Sequence, residues 1–129
     1  MSNKQNDLII ACNPSAIDAA DWDEHVALAK YLFSSSTIQE IKELPDGYAF
    51  RLPLEASMLY KIADYIDKER LCCPFFTFRM VVSDQLWLEL SGSPEVKEVI
   101  QNDILQIVET GVLPSQESLQ ETYDALTGQ

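Results

Sequence analysis

The chain holds 129 residues, with 9 Lys and Arg against 21 Asp and Glu, for a formal net charge of −12. At 47% hydrophobic and 23% charged residues it has the composition of one folded domain, which excludes disorder of the whole chain. The carboxylate excess repels phosphate backbones and anionic head groups, so neither nucleic acid nor a membrane is expected as a partner.

Residues 1–7 are polar and expected as a flexible tail in which no signal peptide is read. The apolar run 8–12 is far short of the roughly 20 residues that cross a bilayer, and reads as a short strand or a buried lead-in. Asn13, Pro14 and Ser15 mark a turn. A helix follows, capped by Asp18, with Trp22, Val26, Ala29, Leu32 and Phe33 at helical spacing and an end near Ser34 to Ser36. His25 then reads as a surface or half-buried helix residue.

Ile38, Ile41 and Leu44 lead into Pro45, Asp46 and Gly47, after which Tyr48, Phe50 and Leu52 alternate with Ala49 and Arg51. This predicts a hairpin whose Asp-Gly pair supplies a positive backbone angle. Residues 55 to about 72 read as a second helix with Met58, Leu59, Ile62, Tyr65, Ile66 and Glu69 on one side, stopped by Pro74. Residues 75–83 and 86–91 make a second hairpin. Ser93 caps a third helix that Pro94 opens and Gly111 ends, and residues 112–129 are expected as an acidic, weakly structured tail.

The order implies one α+β domain over residues 8–111. Its sheet is antiparallel, of about four strands from two hairpins in a ββαββα-like order, with helices packed on one face and an extra N-terminal helix. The expected core is Phe50, Leu52, Ile62, Ile66, Phe76, Phe78, Leu88, Leu90, Val99 and Ile104.

Chemistry concentrates in residues 69–76. Glu69 lies seven residues after Ile62 and so projects from the apolar face of its helix, with Cys72 above the same face. A carboxylate and a thiol should therefore be neighbours, and the carboxylate needs a partner: Arg51, Arg70, Arg79, Lys68 or a bound cation. With an arginine, the motif is structural and the cysteines are small apolar fillers. With accessible thiols, two adjacent sulfurs suit Zn(II), Hg(II), Cu(I) or trivalent arsenic.

The metal candidates are Glu69, Cys72 and Cys73, with Cys12 and His25 as outlying ligands, although Cys12 also reads as core. No zinc-finger spacing is present, since there is no second cysteine pair and only one histidine. Cys72 sits at a helix C-terminus, where the dipole disfavours a thiolate. Three cysteines, two of them adjacent, fit a reducing cytoplasm with the thiols free or ligating.

The run Glu69, Arg70, Leu71, Cys72, Cys73, Pro74, Phe75, Phe76, Thr77, Phe78, with residues 46–50 before it and 86–88 after it, resembles a family of small uncharacterised bacterial proteins carrying an E-x-x-C-C-P-F-x-x-F signature. The similarity runs from about Cys12 to Ile104 and leaves out the acidic tail. It brings no established activity. Similar segments occur near heavy-metal resistance functions, so the resemblance implies a soft-metal or thiol role at Glu69, Cys72 and Cys73.

The leading expectation is a small cytoplasmic binding or sensing domain rather than an enzyme, taking a soft or borderline metal ion such as zinc at the double cysteine. One alternative is an interaction module, a homodimer through the sheet or Trp87, in which the double cysteine is purely structural. The other is a thiol-dependent enzyme, which needs a cysteine of low pKa.

Overall fold

A computed structural model describes residues 9–128; the expected tail of residues 1–7 lies outside them. Residues 9–12 form no strand and serve as the lead-in, tied down where the Asn13 N–H donates to the Cys72 carbonyl at 2.8 Å. A single 3-10 turn, Pro14–Ala16, carries the chain into α1, Ala19–Leu32, whose first turn is capped by the Asp18 carboxylate accepting from the Ala20 N–H.

Strands β1, Glu40–Leu44, and β2, Gly47–Leu52, make the first hairpin, and β3, Thr77–Val82, with β4, Leu86–Ser91, the second. Between them runs α2, Ala56–Cys72. The hairpins join through their second strands, giving a four-stranded sheet in the order β1-β2-β4-β3 that is antiparallel throughout. The fold is therefore the expected α+β arrangement.

The register sets Tyr48 opposite Leu90, Phe50 opposite Leu88 and Leu52 opposite Leu86, so the two central strands present one apolar face. On it pack Leu32 and Phe33 at the end of α1, Met58, Ile62 and Tyr65 of α2, and Val96, Ile100, Ile104 and Ile107 of the last long helical stretch. Of the expected core, Ile66, Phe78 and Val99 are half-buried at its margin and the others are buried. The opposite face carries Lys42, Arg51, Arg79, Glu89 and Trp87, with the Lys42 ammonium 4.8 Å from the Trp87 ring.

That last stretch begins as expected, with Ser93 Oγ accepting from the Val96 N–H and Pro94 in the first turn. It runs through α3, Pro94–Val99, a π turn, Ile100–Ile104, and α4, Leu105–Thr110, where Gly111 at φ 72° ends it. The wider π turn was not legible from apolar spacing; it keeps Ile100 and Ile104 inward while setting Asp103 at the edge of a cavity. The expected weakly structured tail is instead helical over α5, Gln116–Thr127, capped by Ser115. No residue of α5 is buried, and it is held where Gln120 bonds the Asn13 side chain at 3.0 Å and the Ser15 N–H at 3.1 Å.

The turn at Asp46 and Gly47 corrects one expectation. Gly47 has no positive φ; it is needed for close approach, because a Cβ there would lie 1.9 Å from the Leu90 carbonyl oxygen. Neither backbone can yield without breaking the central β2-β4 ladder. Gly47→Ala is expected to lower stability by about 3 kcal/mol in urea unfolding, and a change below about 0.5 kcal/mol, the range of an ordinary surface substitution, would contradict this account.

Candidate functional site

Two helical stripes meet at the site. On α2, Met58, Ile62, Tyr65, Glu69 and Cys72 recur at spacings of four and three and face α1 and the sheet. On α1 the matching stripe is Trp22, His25, Ala29 and Leu32. His25 is therefore buried, at 6% exposure, and is not the surface or half-buried residue expected from a stripe drawn through Val26. The 22-25-29-32 spacing was present in the sequence, but a lone histidine gives no sign that the facing helix offers a carboxylate.

The partner of Glu69 is His25. The His25 Nε2–H donates to Glu69 Oε1 at 2.7 Å, with the two side chains 4% and 13% exposed. None of the expected cations serves: Arg51 pairs with Glu40 and Arg79 with Glu89 on the far face of the sheet, while Arg70 and Lys68 turn outward to Asp67 and Asp64. The His25 ring stacks on Tyr65, centroids 5.5 Å apart and planes within 10°. Burial, and then the adjacent Glu69 charge, holds the Tyr65 phenol well above its ordinary pKa, so it remains a neutral donor.

The other carboxylate oxygen, Glu69 Oε2, lies 3.3 Å from Cys73 Sγ. Cys73 is bonded to Cys12, a disulfide that closes a separation of 61 residues and staples the lead-in to the end of α2. This corrects the reading of all three cysteines as free or ligating: only Cys72 is free, and it is buried. The Cys73 sulfur, having no proton in this state, donates nothing to Oε2; the contact becomes an S–H···O hydrogen bond when the disulfide is reduced.

The structure thus brings Cys12 to Cys72 and Cys73, with the three sulfurs within 4.8 Å of one another. They share one small cavity of about 70 Å³ with His25, Tyr65 and Glu69. Its remaining wall is mainly apolar apart from Asp103 of the π turn, and comes from Trp22 and Phe33 on the α1 side, from the π turn and α4, from Leu113 ahead of α5 and from Leu119 in its first turn. Two buried polar atoms of residues that line it, His25 Nδ1 and the Tyr65 hydroxyl, have no partner at hydrogen-bonding distance among the described residues, although Glu69 lies close enough to the Tyr65 hydroxyl to help raise its pKa. Trp87 is not part of the site.

No family model, curated protein or solved structure matches the chain.

Burial, then the Glu69 charge, pushes the Cys72 thiol up from 9.0 to about 12, offset in part by the Asn13 N–H. This shift makes native Cys72 at about pH 8 react with iodoacetamide at least about tenfold more slowly than an unshifted thiol, since the lost thiolate fraction outweighs the gain in nucleophilicity, with full reaction after unfolding. An ordinary native rate would show the thiol to be exposed. The folded state keeps this proton where the unfolded chain releases it, so the thiol contributes a loss of stability as pH rises from 9.0 toward about 12. Opening the Cys12–Cys73 bond, which spans 61 residues, is expected to cost about 4 kcal/mol in denaturant unfolding with and without reductant.

Proposed function

We propose that the protein binds or senses a soft, thiophilic metal or metalloid through Cys12, Cys72 and Cys73 in their reduced form. The observation that carries this reading is the convergence of three sulfurs within 4.8 Å at the wall of a mainly apolar cavity. Packing alone needs no such gathering, since free cysteines fill cores singly, as small apolar groups. Soft thiolate donors select soft ions. The cluster stops at three sulfurs, whereas structural zinc is closed by four ligands, so the donor set suits three-coordinate trivalent arsenic or Hg(II) better than zinc.

The Cys12–Cys73 disulfide is the closed state, in which two of the sulfurs are bonded to each other and neither is a thiolate. A dithiol reductant such as a cytoplasm maintains opens it, and Cys73 then finds a ready acceptor in Glu69 Oε2. His25 holds Glu69 from the other side and so positions the carboxylate toward the sulfurs rather than toward solvent. A thiol-dependent enzyme is disfavoured by Cys72, whose raised pKa leaves little thiolate at neutral pH.

The test is titration of phosphine-reduced, desalted protein with arsenite, Hg(II) and Zn(II), read by native mass and by counting thiols open to alkylation. One equivalent of arsenite masking all three thiols is expected, with none bound by the oxidised protein. Cys12→Ser, Cys72→Ser and Cys73→Ser should each weaken arsenite binding at least about tenfold, the loss typical of even an outer-shell partner. Absence of binding by the reduced, folded wild type would overturn the proposal and leave the cysteine cluster a structural staple.

A further inference from the structure

In the oxidised structure the sulfurs are out of reach: Cys72 and Cys73 are 3% and 1% exposed, and Cys12 is half-buried. Whatever is to meet all three needs part of the cavity wall to move. The segment best placed to do so is the crossing from α4 to α5. Leu113, Pro114 and Leu119 line the cavity of about 70 Å³, yet Pro114 and Leu119 also line a surface groove of about 290 Å³, and Cys12 borders both spaces. A segment with empty space on two sides is held by few packing contacts, and such segments open most easily. The crossing also starts at Gly111, at φ 72°, where a Cβ would meet nothing within 4 Å.

The fastening is narrow. No residue of α5 is buried, and among the described residues its side-chain hydrogen bonds to the rest of the protein all pass through Gln120. Gln120 Nε2–H donates to Asn13 Oδ1 at 3.0 Å, and Oε1 accepts from the Ser15 N–H at 3.1 Å. Asn13 and Ser15 directly follow Cys12, so α5 is tied to the stretch that the Cys12–Cys73 bond anchors. Without that bond the lead-in keeps the Asn13 N–H on the Cys72 carbonyl at 2.8 Å and the burial of Ala11 and Pro14. One hydrogen bond of modest net worth and non-directional burial leave it far freer than a covalent staple does.

We propose that the segment from Leu113 through α5 is a gate over the three sulfurs, fastened through Cys12. It is shut by the Cys12–Cys73 bond, open in the reduced, empty protein, and shut again when a ligand ties Cys12 to Cys72 and Cys73. As regulation of the three-sulfur site the gate rests on the reading of that site, whereas its opening on reduction needs no ligand. A dithiol opens it by passing two electrons and two protons to the Cys12–Cys73 bond, which becomes two thiols as the dithiol closes to a disulfide. Arsenite shuts it by forming three S–As bonds as three As–OH bonds break. Each thiol proton leaves with a hydroxide as water, and arsenic stays trivalent. Either link joins the lead-in to the end of α2, and so either one seats Asn13 against Gln120.

The experiment is amide hydrogen exchange, read by mass, on the full chain in three states: oxidised, phosphine-reduced and desalted, and reduced with one equivalent of arsenite. Amides of α5 should exchange at least about tenfold faster after reduction, and arsenite should return them to within about threefold of the oxidised rate. Oxidised Gly47→Ala, destabilised as a whole to a similar degree, should keep the wild-type α5 rate, which separates a local latch from a general loss of stability. Oxidised Gln120→Ala, with the disulfide intact, should show α5 exchange at least about tenfold faster than wild type. Should Gly47→Ala fail to fold, Gln120→Ala still decides, since a slow α5 there would place the fastening elsewhere and overturn the gate. An α5 rate that reduction leaves unchanged, or that Gly47→Ala raises as much as reduction does, would also overturn it. Arsenite masking all three thiols without slowing α5 would overturn the reclosing by ligand. Faster α5 exchange on reduction with no arsenite bound would support the redox latch and overturn the three-sulfur site alone.

Discussion

A carboxylate set on the apolar face of a helix constrains everything near it. Glu69 sits one helical step beyond Tyr65 on the stripe that α2 turns toward the core, and an ionised side chain there is costly unless it is paired. The cations nearest in sequence, Lys68 and Arg70, point the other way around the helix and are taken by surface carboxylates. The partner must come from α1, and His25 supplies it at 2.7 Å. That bond fixes how α1 and α2 lie against one another, and stacking on Tyr65 holds the imidazole plane. With one oxygen held by the histidine, the other faces the sulfur of Cys73.

The cysteine cluster is assembled from separate parts of the chain. Cys72 and Cys73 end α2 and are turned by Pro74 toward β3, while Cys12 arrives on a lead-in that has no regular structure of its own. The lead-in is held by the Asn13 N–H on the Cys72 carbonyl, by the Cys12–Cys73 bond and by Gln120 of α5. These ties gather the lead-in, the end of α2 and α5 at a few shared residues beside the cavity. Under the proposed reading, the sulfurs that fasten this cover are also the ones that would take the ligand, so reductant and ligand would act on the same few residues.

The sheet contributes rigidity rather than chemistry. Its central strands are joined along the full β2-β4 ladder, and the close pass of Gly47 over Leu90 leaves no room for adjustment. Against that floor Phe33 meets both Phe50 and Tyr65 edge-on, which links the sheet to the ring stacked on His25. The far face, with its paired arginines and Lys42 over Trp87, is uninvolved in the cavity.

Local order was legible in the residues. Helical and alternating periodicities, the Asp18 and Ser93 caps and the stops at Pro74 and Gly111 define the elements, because each depends on neighbours within a few positions. The nearness of Glu69 to the double cysteine was legible for the same reason, since three and four residues make one helical turn. The partner of Glu69 was not, for His25 lies 44 residues away and only the packing of two stripes brings it there. Nor was the role of Cys12, separated by 61 residues from Cys73, or the need for glycine at 47, which arises from a strand more than forty residues on. Periodicity says which face of an element is turned inward; which side chain it meets there is decided by how the elements pack. The three-sulfur cavity belongs wholly to that second kind of information.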